Sequence, residues 1–165
     1  MQPRAASPHR ERSETALLEI RPSPIQGLGA FALQRIRKGT RLIEYLGERI
    51  TPAEADARYD DEAAPHVQVL LFTVDKRTVI DAGVDGNDAR FINHSCEPNC
   101  VAVIERKRVF IEAKREIAAG DELTYDYNLQ QDEEPDDVAK SRYACHCGAK
   151  TCRGTMLEPR RGRKS

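Results

Sequence analysis

With 165 residues the chain has the length of one domain, long enough to bury most of its apolar surface. It is 39% hydrophobic and 32% charged at a net charge of −1, with no apolar run of membrane-spanning length and no global field toward nucleic acid or lipid. Five cysteines, behind an N-terminus that carries Arg4, His9, Arg10 and Arg12 but no apolar secretory core, argue for reduced thiols rather than a disulfide framework. The charge is unevenly spread: residues 132–137 are almost wholly acidic, and the tail at 160–164 is basic.

Residues 1–15 are polar, carry two prolines and have no periodic apolar face, so a disordered lead-in is expected. A first strand is expected over Leu17–Ile20, stopped by Pro22 and Pro24. Gln26-Gly27-Leu28-Gly29-Ala30-Phe31 reads as a glycine turn feeding a second strand, where the backbone can turn tightly or approach a ligand. A strand over Arg41–Leu46 precedes a helix start at Thr51-Pro52-Ala53-Glu54. There Thr51 can cap the free N–H groups, Pro52 sits where its missing N–H costs nothing, and Glu54 completes a capping box. That helix should end near Tyr59. Hairpins are expected over 69–80, turning at Asp75-Lys76-Arg77, and over 101–113, turning at Arg106-Lys107-Arg108. A last strand covers Glu122–Tyr127. Many short strands, one short helix and no βαβ alternation point to a mainly β domain of several small sheets.

The stretch Arg90-Phe91-Ile92-Asn93-His94-Ser95-Cys96-Glu97-Pro98-Asn99-Cys100 follows neither helical nor strand periodicity. It combines loop-forming residues with a phenylalanine and two thiols that prefer burial, which reads as a buried functional loop. Cys145, Cys147 and Cys152 are three ligands of the four that a structural zinc site needs. The fourth has to come from elsewhere, with Cys96 and Cys100 both available, while His146 is wedged between two of the cysteines and should point away. Free buried thiols or a labile disulfide are the alternatives to zinc. Tyr125 and Tyr127 fall on one side of their strand and Asp126 on the other.

Taken together, these segments resemble the SET-domain protein-lysine methyltransferases. The loop at 90–100 is similar to the family's signature loop, Glu122–Tyr127 to its second signature, Gly27-Leu28-Gly29 to its first, and Tyr45-Leu46-Gly47-Glu48 to its Tyr-x-Gly segment. Cys145-x-Cys147-x4-Cys152 is similar to the post-SET zinc motif. The resemblance covers residues 17–157 in the family's order and implies a SET (β-clip) fold, in which the segment at 90–96 meets the strand at 122–127 in a knot-like crossing. On this reading residues 16–130 form the SET domain, 131–143 an acidic linker, 144–157 the post-SET segment and 158–165 a flexible basic tail.

The resemblance further implies S-adenosylmethionine as cofactor, held by Gln26, Gly27, Leu28, Gly29, Arg90, Asn93, His94 and the backbone at His146. It implies zinc on Cys96, Cys145, Cys147 and Cys152, leaving Cys100 as a structural thiol. Tyr127 matches the essential tyrosine, Tyr45 would line a lysine channel, and a hydroxyl at Tyr125 favours monomethylation. Leu70 stands where many relatives carry a cofactor-contacting tyrosine. No cysteine precedes Cys96, so the cysteine-rich pre-SET module is missing and the stripped-down form looks similar to bacterial SET proteins. The expected partner is a protein with a target lysine, histone or another basic protein, in a bacterial cytoplasm or a eukaryotic nucleus. A SET-like binding module without turnover is the rival reading. A zinc-stapled nucleic-acid binder is weakened by the balanced charge.

Overall fold

In a computed structural model, residues 16–59, 70–130 and 134–159 are described. Among them the strands run β1 Leu18–Pro22, β2 Leu28–Ala32, β3 Arg41–Glu44, β4 Glu48–Ile50, β5 Leu71–Thr73, β6 Val79–Asp81, β7 Asn93–His94, β8 Cys100–Glu105, β9 Arg108–Ala113 and β10 Glu122–Tyr125. The helices are α1 Pro52–Arg58 and α2 Asp137–Arg142, with a 3-10 turn at Asp88–Phe91. The strands form three small sheets in the orders β1-β2-β10-β7, β3-β9-β8 and β4-β6-β5. This is the expected mainly β architecture.

Local chemistry explains most boundaries. α1 begins as the sequence requires: the Thr51 side chain accepts from Glu54 N–H, and the Glu54 carboxylate accepts from Thr51 N–H at 2.7 Å. β1 runs on through Pro22, past the expected stop. It is the edge of its sheet, where a missing N–H breaks no ladder. The β8–β9 hairpin turns at Arg106-Lys107, both with positive φ (50° and 63°), the twist that joins antiparallel strands tightly. β3 ends at Glu44 rather than Leu46, because the Asn87 side chain takes over the pairing. Its amide donates to Glu44 O at 2.9 Å and accepts from Leu46 N–H at 3.3 Å. A second helix, α2, stands in the segment expected to be an acidic linker. Asp136 caps it, its carboxylate accepting from Ala139 N–H at 2.8 Å. The disordered lead-in at 1–15 and the basic tail at 160–164 lie outside the described residues, as do Asp132 and Glu133.

The main core gathers Ile36, Ile92, Ile111, Ile117 and Leu123, each at most 2% exposed, with Ala30, Cys100 and Tyr125. β7 pairs with β10 in parallel, Asn93 opposite Thr124 and His94 opposite Tyr125, so the loop expected to be functional is threaded beside the tyrosine strand. Asn99 fixes that crossing: its buried amide donates to Glu122 O at 2.8 Å and accepts from Thr124 N–H at 2.9 Å.

Candidate active site and cysteine centre

A cleft of about 1130 Å³ opens between β5 and β8, each the edge of its sheet, and is closed by residues 125–130 with Arg142, Tyr143 and Leu157. Aromatic rings run in a line toward it. Tyr45 contacts Phe72 at 5.4 Å between centroids, Phe72 contacts Tyr125 at 6.4 Å, Tyr125 contacts Tyr127 at 4.8 Å, and His94 closes the line against Tyr127 at 5.3 Å. Phe72, Tyr125 and Tyr127 line the cleft. Tyr45, expected in a lysine channel, packs against Phe72 at 2% exposure, close enough to Tyr125 and Tyr127 to act on both electrostatically.

The hydroxyl protons have fixed destinations. Tyr127 donates to Ile92 O at 2.7 Å, and Tyr45 donates to Leu70 O at 2.9 Å. Burial pushes all three phenols above their ordinary range, so none ionises near neutral pH.

On the other side of β10 the groups are polar and tied to each other. The Asn93 amide, 4% exposed, has four acceptors for its two hydrogens: Glu122 Oε1 at 2.9 Å, Leu28 O at 3.1 Å, Ser23 Oγ at 3.2 Å and Gln26 O at 3.3 Å. Ser23 Oγ also donates to Glu122 Oε1 at 2.7 Å. This knot folds the 23–29 turn onto β10. A Cβ at Gly29 would lie 2.3 Å from Glu122 Oε1 and displace that carboxylate from the knot, and Gly27 takes a φ of +46°. β7 forms the outer edge of its sheet, paired to β10 from Asn93 and Ser95, which leaves the His94 backbone groups facing outward for a ligand.

His94 is 3% exposed, and burial lowers its pKa to about 4 against the pull of Asp126, so the ring is neutral. Its Nδ1 accepts from Tyr127 N–H at 3.0 Å, which puts the ring proton on Nε2, 3.5 Å from Cys96 Sγ.

The Sγ atoms of Cys96, Cys145, Cys147 and Cys152 lie within 4.8 Å of one another. Cys96 Sγ is 3.7 Å from Cys145 Sγ and 3.9 Å from Cys152 Sγ. A zinc tetrahedron with arms of about 2.3 Å has sulfur–sulfur edges of about 3.8 Å, whereas a disulfide needs about 2.0 Å. The geometry therefore fits a tetrahedral ion, and all four thiols are free in the structure. Of the two cysteines left open as fourth ligand, the fold brings Cys96 to the cluster. Cys100 sits in the hydrophobic core at 1% exposure, where burial pushes its thiol up to about 12.

Residues 27–128 match the SET domain family. The chain belongs to the SET-domain family. Among similar proteins, the "Histone-lysine N-methyltransferase, H3 lysine-4 specific" of Schizosaccharomyces pombe is 44% identical over 144 residues, covering 84% of this chain and 15% of that protein. "Histone-lysine N-methyltransferase trr" of Drosophila melanogaster is 40% identical over 138 residues, covering 81% of this chain and 6% of its own length. "Histone-lysine N-methyltransferase 2D" of Homo sapiens is 41% identical over the same span, covering 81% and 2%. The chain thus spans 15% or less of these relatives, all of them eukaryotic, and the bacterial likeness gains no support from them. No described helix is long and apolar enough to cross a membrane.

Within the SET domain the fold brings Gln26–Gly29, Asn93 and His94 together, and Tyr125 with Tyr127 beside them. Arg90 stands on the 3-10 turn ahead of β7, its guanidinium 4.7 Å from the Phe91 ring centre. His146 is exposed between Cys145 and Cys147. Sequence reasoning missed Phe72, whose ring joins Tyr45 to Tyr125, because a phenylalanine in a short apolar strand looks like ordinary core. It also missed Arg153, which lies in the ion pair with Asp126. The one available signal was a lone arginine directly after Cys152.

Proposed function

We propose that this SET domain is a protein-lysine N-methyltransferase that uses S-adenosylmethionine and a structural zinc. The observation that carries the reading is the pair of committed hydroxyls. Because Tyr127 and Tyr45 spend their protons on the Ile92 and Leu70 carbonyls, only oxygen lone pairs remain on them. A neutral amine at the Tyr127 end of the cleft can donate N–H to such a lone pair and keep its own lone pair for attack. The phenols stay neutral, so they orient the nucleophile without taking its proton.

Methyl transfer from a sulfonium to an amine is an in-line displacement governed by alignment. A lysine with a pKa near 10.4 costs about 4 kcal/mol to hold neutral at pH 7.4. Desolvation beside Phe72, Tyr125 and Tyr127 lowers that cost. S-adenosylmethionine supplies the methyl group on its sulfonium when bound. The backbone of Gln26–Gly29, Asn93, the outward backbone edge of His94, Arg90, and the backbone at His146 would hold it, and Cys96, Cys145, Cys147 and Cys152 would hold the zinc. A lysine in a protein substrate, histone H3 first among those the relatives' names suggest, would approach along the cleft. Tyr125, which lines the cleft, favours monomethylation by occupying room that added methyl groups need.

The test is label transfer from S-adenosylmethionine to purified histones and to lysate proteins. Wild type should label lysine, and Tyr127→Phe, folded and zinc-loaded, should lose at least about 100-fold in rate. No label from wild type that still binds the cofactor would favour the binding-module reading. Tyr125→Phe should retain the rate and shift products toward di- and trimethyl-lysine by mass spectrometry; an unchanged product pattern would remove the monomethylation claim.

A further inference from the structure

One residue of the cysteine segment reaches the strand that carries the tyrosines without belonging to the cysteine cluster or lining the cleft. We propose that Arg153, through its ion pair with Asp126, is the positioning residue that couples the cysteine centre to the alignment of Tyr125 and Tyr127; this rests on the methyltransferase reading above. Arg153 follows the ligand Cys152 directly, and its backbone N–H donates to Cys96 Sγ at 3.4 Å, so its main chain is set by the cysteine cluster. Its guanidinium leaves the cluster and grips Asp126 with both ends: Nη1 donates to Oδ2 at 2.8 Å and Nη2 to Oδ1 at 3.1 Å. Both side chains are about a quarter exposed, so solvent screens the pair only in part.

Asp126 is the one residue between the two tyrosines. It also accepts from Asn128 N–H at 3.0 Å, which pins the backbone just beyond Tyr127. A second link runs in parallel. Cys96 Sγ meets His94 Nε2, and His94 Nδ1 accepts from Tyr127 N–H. Residues 126–127 are therefore held from two directions, each ending on the same thiol. The bidentate link has fixed planar geometry, which a lysine cannot reproduce. Arg153 also donates to Leu157 O at 3.5 Å, and Leu157 lines the cleft beside these tyrosines. The pair thus joins metal loop, cleft wall and tyrosine backbone at one point.

A positioning role predicts a particular split. Arg153→Ala should lower kcat on histone H3 by about 10-fold to 100-fold while KM moves little. It should keep one zinc per chain by elemental analysis, and hydrogen exchange at the Tyr127 amide should speed up. Arg153→Lys should recover only part of kcat. The charge-swapped double variant Asp126→Arg with Arg153→Asp should recover more than either single change. Unchanged kcat and exchange in Arg153→Ala would overturn the proposal. A fall in kcat that matches zinc loss in proportion would also overturn it, because the arginine would then serve the metal site alone. If wild type transfers no methyl group, the functional reading fails; exchange at Tyr127 and zinc content still decide whether Arg153 carries the coupling.

Discussion

The three-sheet body and the cysteine segment that follows it are held by different physics. The body has Ile92, Ile111, Ile117 and Leu123 at 1% exposure or less, packed between sheets. From residue 134 to 159, Leu157 is the only described residue that is buried. That segment meets the body through a single bridge between Leu129 and Leu157, the four thiols, a Thr151–Glu97 contact and the Arg153–Asp126 pair. A stretch with so little apolar burial cannot offset its ordering entropy by hydrophobic contact, so a metal is the natural staple. The body should stand without the zinc segment, whereas the segment should not keep its structure without the metal. Both regions build the cleft, since Leu157 and Tyr143 form part of its wall.

Removing the metal is the hardest test of this contrast and should produce the largest effect. Chelation, or Cys145→Ser, should abolish zinc binding and cut methyl transfer by about 100-fold or more. Limited proteolysis should then cleave within 144–158 while the far-ultraviolet signature of the sheets persists. Loss of the whole β signal on chelation would mean that the two regions form one cooperative unit.

The converse test strikes the body. Leu123 is 0% exposed in β10, with the main cluster packed around it. Leu123→Ala should lower stability by about 3 kcal/mol in urea denaturation, through lost transfer energy and the cavity left behind. Zinc stoichiometry in the folded fraction should stay at one. If zinc is lost at urea concentrations where the sheets remain folded in both proteins, the segment's stability does not depend on this core.

Much of the body was legible in the sequence because its signals are local. The Thr51–Glu54 box, the basic tight turn at 106–107 and the apolar runs on either side each specify their own conformation within a few residues. The functional loop was legible for a different reason, since its mixture of amide, imidazole and thiols fits no periodic element. Contacts closed over long sequence separations were not legible. The Asn87 amide that ends β3 lies more than forty positions from Glu44, and Arg153 finds Asp126 twenty-seven positions away. α2 was hidden because an acidic run reads as a solvated linker, yet its first acids are the residues a helix N-terminus favours, Asp136 as cap and Asp137 in the first turn. Tyr45 was placed by motif alone; its ring contact with Phe72 closes over twenty-seven positions.

The smallest predicted effect concerns a polar feature inside the body, where charge rather than apolar area holds an element in place. Asp81 is 0% exposed and accepts from Arg58 Nη1 at 2.8 Å, from the Tyr59 hydroxyl at 2.9 Å and from Gly83 N–H at 2.8 Å. Burial alone would push this carboxyl up, but Arg58, Tyr59 and Gly83 together hold it below the usual carboxylate range. A carboxyl with a lowered folded pKa contributes stability that is present above its unfolded value, about 3.9, and is lost as pH falls through the folded value. Asp81→Asn keeps the shape and loses the charge, and Arg58 retains Glu48 at 2.7 Å, so the cost at pH 7 should be about 1–2 kcal/mol. The gap between wild type and variant should close in acid below the folded pKa of Asp81. The two proteins differ only at position 81, so the gap isolates that side chain. A gap of undiminished size in acid would mean that Asp81 acts through shape and hydrogen bonding, with its charge making no net contribution. Since Arg58 and Tyr59 also line the cleft, the variant should raise KM for a histone substrate more than it lowers kcat, the opposite split from Arg153→Ala.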